Sequence, residues 1–167
     1  MNKMVYKQEK LMYPDVAVWF ENLLSIKYKK AEIQVVISAN EYLSSIIQRN
    51  KYNDYFPLFH TYLIQVDIVG FIKIKNMIKI GFVECKLNSI NLKDISQLIG
   101  YSKVVIPEYS IIISPKGIGT AINSLIKVYR RYDILEYSKE KRIKIAQWDI
   151  DKKEILTETI LPPGDFT

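Results

Sequence analysis

Asp67 stands in Val66-Asp67-Ile68, and further along Val83-Glu84-Cys85-Lys86 sets a second acid and a lysine two positions apart. Side chains alternate along a strand, so Glu84 and Lys86 point the same way while Cys85 points back. On the earlier run Ile64, Val66 and Ile68 share one face, and Gln65, Asp67 and Val69 the other. A hairpin turning at Lys75-Asn76 sets residue 67 opposite residue 85 or so, which brings Asp67 beside Glu84 and Lys86. Two carboxylates and a lysine are costly as packing residues. They make sense around a divalent cation, because Mg²⁺ prefers hard oxygen ligands and keeps part of its water shell. Such a cation acidifies a bound water and neutralises a phosphoryl group, and a neighbouring lysine orients the water or stabilises the developing charge.

The elements that must hold these residues follow from periodicity. Tyr13-Pro14-Asp15 opens a helical stripe through Val16, Trp19, Phe20, Leu23 and Leu24, with the proline suited to a first turn. Residues 33–37 are short and β-branched, the pattern of a strand. Asn40 is expected to cap a helix running through Ile47, followed by a polar loop over 49–53. Residues 61–75 and 77–87 read as the two strands of the hairpin, 91–105 as a helix, and 109–113 as a strand buried on both faces. A loop over 114–120 and a short helix over 121–131 come next, then strands over 143–150 and 154–160 joined at Asp151-Lys152-Lys153. The expected architecture is one α/β domain, residues 1–167. Its core spans about 13–131 and a C-terminal β-hairpin appendage about 132–167.

With those elements in place the chain resembles the PD-(D/E)xK nuclease superfamily, whose pattern is an acid, a spacer, then Glu-x-Lys on the adjoining strand. Asp67, Glu84 and Lys86 match residue by residue, with Cys85 at x and Val66 where the motif has proline. The resemblance covers roughly Trp19 to Ile113. It implies a restriction-endonuclease-like mixed central sheet flanked by helices, and Mg²⁺-dependent hydrolysis of phosphodiester bonds in DNA, with Mn²⁺ able to substitute. In that reading Asp67, Glu84 and the backbone carbonyl of Cys85 are metal ligands and Lys86 is the catalytic lysine. Gln97 and Tyr101 lie one helical turn apart on the next helix. They are similar to the Gln-x-x-x-Tyr element of the RecB-type exonuclease branch, which implies that they position the lysine and the DNA. Glu21 looks like the family's N-terminal acid, a ligand through water or to a second metal. The branch's histidine ligand has no counterpart at the right spacing, since His60 stands seven residues ahead of Asp67.

Composition narrows the alternatives. One cysteine and one histidine exclude a disulfide framework, a cysteine-cluster site and His-rich metal chemistry. Twenty-four basic residues against 18 acids, a net charge of +6, favour a polyanionic partner. No run of apolar residues is long enough to span a bilayer, and no apolar stretch follows the charged start of the chain. The expectation is an intracellular, cytoplasmic protein without a membrane partner, and a homodimer stays open. Lys116, in the strand-to-helix loop Pro115-Lys116-Gly117-Ile118-Gly119-Thr120, and Arg130 and Arg131 are candidate DNA contacts. That loop lacks the Gly-Lys-Ser/Thr ending of a nucleotide-hydrolysing P-loop. Asp151-Lys152-Lys153 matches the acid-x-lysine pattern as a competitor. A non-catalytic nucleic-acid-binding protein on the same fold is the alternative function.

Overall fold

The computed structural model describes residues 5–164 and 166. Of the charged start, residues 1–10, the first four lie outside them. Helix α1 (Tyr13–Lys27) follows a short 3₁₀ turn, Glu9–Leu11, and buries Val16, Phe20 and Leu24, the stripe expected from their spacing. Strand β1 (Glu32–Ile37) leads to helix α2 (Leu43–Arg49). Strands β2 (Ile68–Ile74) and β3 (Met77–Cys85) form the antiparallel hairpin, closed by the Ile74–Met77 pair across Lys75-Asn76. Helix α3 (Leu92–Val105) and strand β4 (Tyr109–Ser114) follow, then a one-turn helix α4 (Thr120–Asn123) that widens into a π-turn, Ser124–Val128. A small ladder joins β5 (Glu136–Ser138) to β6 (Lys141–Arg142), and the chain closes with β7 (Lys144–Asp149) and β8 (Glu154–Leu161).

Six strands make one mixed sheet in the order β1-β2-β3-β4-β7-β8. The β3–β4 and β4–β7 pairings are parallel and the others antiparallel. The C-terminal hairpin, β7 and β8, is therefore not set apart, because β7 pairs along β4 and extends the sheet. Period-2 alternation sends successive side chains into two cores. Ile68, Ile72, Val83, Cys85, Ile111 and Ile113 pack under α1, while Val69, Phe71, Ile80, Phe82 and Ile112 face Ile46, Ile95 and Leu98 of α2 and α3. Gly70 and Gly81 are cross-strand partners. A Cβ on either would stand 2.8 Å from the Phe20 ring, so the paired glycines are the seat on which α1 rests.

Three expected elements differ. Residues 61–67 do not extend β2, although Tyr62, Ile64 and Val66 are buried and Leu63 and Gln65 exposed in strict alternation. Two of their carbonyls serve the start of α2 instead, Ile64 and Tyr62 accepting from the amides of Leu43 and Ser44, while Val66 accepts from the Ser38 hydroxyl just after β1. That arrangement removes the need for an Asn40 cap, and the N-cap position falls on Tyr42. The helix expected over 121–131 is a single α turn followed by the π-turn, ending where Arg130 adopts a left-handed φ of 55°. Helix α3 keeps its expected start, with Asn91 and Asp94 forming a reciprocal capping box.

Candidate active site

The β2–β3 ladder ends at the Ile68–Val83 pair, and the next residue on each side is an acid. Asp67 and Glu84 are thus drawn together by the register, one position from the expected 67-to-85 alignment. Asp67 is 7% exposed and Glu84 6%. The Cys85 amide donates to Asp67 Oδ2 at 2.8 Å, and the Asp67 amide approaches Glu84 Oε2 at 3.4 Å. Lys86 Nζ lies 2.9 Å from Glu84 Oε1, a largely buried ion pair. Its own backbone is pinned by donation to the Ile113 carbonyl at the end of β4. The triad predicted from spacing is therefore assembled at one end of the sheet, where β2 begins and β3 ends.

The electrostatics are those of two neighbouring carboxylates, one of them paired with a lysine. Burial raises the Glu84 pKa, the Asp67 charge raises it further, and Lys86 only partly offsets both, leaving it up at about 7. Burial also pushes Asp67 up, against the opposing pull of the Cys85 amide, the Tyr13 hydroxyl and Lys86. Burial works against the charge on Lys86, but Glu84 outweighs it and holds the ammonium protonated above its usual range. The Cys85 thiol points away into the α1 core, where full burial raises it far above a reactive thiol.

Two residues at the site were not expected from sequence. Tyr13, the first residue of α1, donates its hydroxyl to Asp67 Oδ1 at 2.8 Å. Burial, and then Asp67, raise its pKa, so the phenol stays a donor. Glu9, in the turn before α1, is raised by burial and feels the charges of Lys86 and Asp67. An acid one turn ahead of the Tyr13-Pro14 helix start was the signal for it. Glu21 instead lies exposed on α1, about 12 Å along the axis from Tyr13. Among the described residues it shares no hydrogen bond or ion pair with the triad.

Gln97 and Tyr101 share one face of α3 as expected, with Gln97 Nε2 donating to the Tyr101 hydroxyl at 3.1 Å. Neither is hydrogen-bonded to Asp67, Glu84 or Lys86 among the described residues. In the loop after β4 three of the amides are already engaged within the chain: Lys116 N donates to Ser114 Oγ, Gly117 N to Ser114 O, and Gly119 N to Ile90 O. Lys116 itself is exposed, its Nζ 3.1 Å from Asn88 Oδ1. Arg131 grips Asp133 with two bonds of 2.7 and 2.8 Å, whereas Arg130 is exposed and makes no ion pair among the described residues. The competing Asp151-Lys152-Lys153 is a strand turn: Asp149 Oδ1 accepts from the amides of Asp151 and Lys152, and Lys153 pairs with Asp15.

Among the described residues, no three His, Cys, Asp or Glu side chains converge as a metal-binding group. The donor set is two adjacent carboxylates whose proton affinities burial and mutual repulsion have raised, an arrangement that a hard cation relieves. That suits Mg²⁺, which is usually bound through one or two carboxylates while waters and substrate phosphate fill the rest. Compared with known protein families, curated proteins and solved structures, the chain matches none. No helix among the described residues is long and apolar enough to cross a membrane.

Proposed function

We propose that the protein is a metal-dependent DNA nuclease of the PD-(D/E)xK type, with a restriction-endonuclease-like core. The observation that carries this reading is the convergence of Asp67, Glu84 and Lys86 where the β2–β3 ladder ends, with Lys86 held 2.9 Å from Glu84. Asp67 and Glu84 would hold one Mg²⁺ or Mn²⁺, with the Cys85 backbone carbonyl beside them. When bound, the cation supplies charge neutralisation at the scissile phosphate and a more acidic water. Tyr13 and the Cys85 amide fix the two oxygens of Asp67, so its carboxylate need not reorganise. Lys86, kept cationic by Glu84, places a fixed positive charge where negative charge builds on the phosphate. Glu9 adds a negative wall that favours a cation over a bare phosphate at this spot.

Linear, circular and branched DNA incubated with and without Mg²⁺ or Mn²⁺ tests the reading. Cleavage should vanish in excess chelator and return with either metal, while Ca²⁺ supports binding with little turnover because it acidifies water less. Full activity in chelator, or no cleavage of any of the three substrates with metal, defeats it.

A further inference from the structure

The segment after β4 carries a surface that the triad does not use. From Tyr109 to Tyr132 there is no acidic residue, while Lys116, Lys127, Arg130 and Arg131 all fall within it. On one side of α4 an apolar groove of about 530 Å³ is walled by Ile90, Leu92, Ala121, Leu125 and Tyr129. Tyr129 is 70% exposed and Leu92 55%, so a large aromatic face and an aliphatic neighbour stand open to solvent. On the other side Lys116 and Lys127 line a common polar cleft with Asn123, and Glu158 is the one acid there. Lys127 makes no ion pair among the described residues. The surface is continuous with the site: Lys116 Nζ meets Asn88 Oδ1, and Asn88 stands two residues, at most about 7 Å of chain, beyond Lys86.

A flat aromatic face can stack only on a base whose own face is free, which a continuous duplex does not offer. Cations in the cleft across the same short helix suit the phosphates that flank such a base. We propose that this α4 and π-turn surface binds single-stranded DNA, with Tyr129 stacking a base and Lys116 and Lys127 taking the backbone that leads to Lys86. This rests on the reading of the chain as acting on DNA, and it names the strand form that the site receives. The widened π-turn supports it, because Tyr129 is its C-cap, and the Tyr129 amide donates to Ser124 O at 3.2 Å and so holds the backbone under the ring.

Fluorescence anisotropy of the wild-type protein in excess chelator, with a short oligothymidylate and a blunt hairpin duplex as probes, tests this without turnover. The single strand should bind more tightly than the duplex. Tyr129→Ala should weaken oligothymidylate binding roughly five- to 100-fold, and Tyr129→Phe should restore it to within about twofold, since stacking survives loss of the hydroxyl. The double variant Lys116→Ala/Lys127→Ala should lower the slope of log affinity against log salt by about 1 to 1.5. Equal binding by Tyr129→Ala, or a duplex bound as tightly as the single strand, overturns the proposal. So does a concentration-dependent dimer that Tyr129→Ala abolishes, for then the groove belongs to a second copy. A wild type that binds the strand through Tyr129 yet never cleaves defeats the nuclease reading alone. Cleavage with Tyr129 indifferent to binding defeats only the strand surface.

Discussion

Glu84 is the residue on which charge, burial and geometry meet. Its carboxylate is drawn one way by Lys86 and pushed the other by Asp67 and by loss of water. Glu84→Gln keeps the shape and removes a charge that would hold the cation, and Lys86→Ala removes the positive group that would stand beside the phosphate. Each should lower the cleavage rate by at least about a hundredfold. Asp151→Asn should leave it unchanged, because that acid sits in the β7–β8 turn. A gel-based cleavage assay in Mg²⁺ ranks the three, and a dead Asp151→Asn beside an active Glu84→Gln would reverse the assignment. Tyr13 acts through Asp67, so Tyr13→Phe has a different signature. The ring still packs at the start of α1, while the 2.8 Å bond that orients Asp67 is gone. Metal affinity, read as the shift in melting temperature on adding Mn²⁺ without DNA, should fall about ten- to 100-fold. A structural role alone would lower the metal-free melting temperature and leave that affinity intact.

At the scale of elements, the placement of α1 decides whether Tyr13 reaches Asp67 at all. Phe20 lies on the Gly70–Gly81 pair, and the Cβ of an alanine at 81 would stand 2.8 Å from the Phe20 ring. Gly81→Ala should therefore destabilise by about 1–3 kcal/mol in urea unfolding. It should also slow cleavage, by lifting the helix that carries Tyr13. Gly100→Ala on α3 meets no atom within 4 Å and should instead stabilise by about 0.5–1 kcal/mol, a control for glycine replacement itself. The local patterns that position Glu84 and Lys86 were legible, because the alternation along 77–85 and the turn at Lys75-Asn76 are written in neighbouring residues. What was not legible is pairing. Tyr62, Ile64 and Val66 alternate like a strand, yet the Tyr62 and Ile64 carbonyls cap α2 and that of Val66 takes the Ser38 hydroxyl, since alternation reports burial and not the partner. The contact of Tyr13 with Asp67 spans 54 positions and depends on the glycine seat, which no local spacing encodes.

At the scale of the molecule, one sheet separates two cores, and the acid pair sits where the sheet stops covering its own ends. Groups there and at the periphery pull the pH dependence of stability in opposite directions. Burial alone would raise Glu108, but Lys79 and Lys141 outweigh it and hold the carboxyl below its usual range. Asp15 is likewise lowered, by Tyr6 and Lys153 against burial. A carboxylate held low stabilises the fold above its unfolded pKa and loses that contribution as pH falls through the folded value. Glu84 does the reverse. Its folded pKa, about 7, lies above the ordinary glutamate value of 4.5, so the folded chain binds more protons than the unfolded one between those values. Stability from this group is therefore lost steadily as pH rises from about 4.5 to about 7, and Asp67 and Glu9 act in the same direction. In chelator the melting temperature should peak on the acid side of neutrality and fall toward pH 8, as calorimetry across that range would record. Mg²⁺ favours the ionised pair and should flatten the alkaline side of the curve, and Glu84→Gln should flatten it without metal. A melting temperature that climbs from pH 5 to pH 8 in chelator would mean that Asp67 and Glu84 are not the strained pair described here, and the case for a cation between them would go with it.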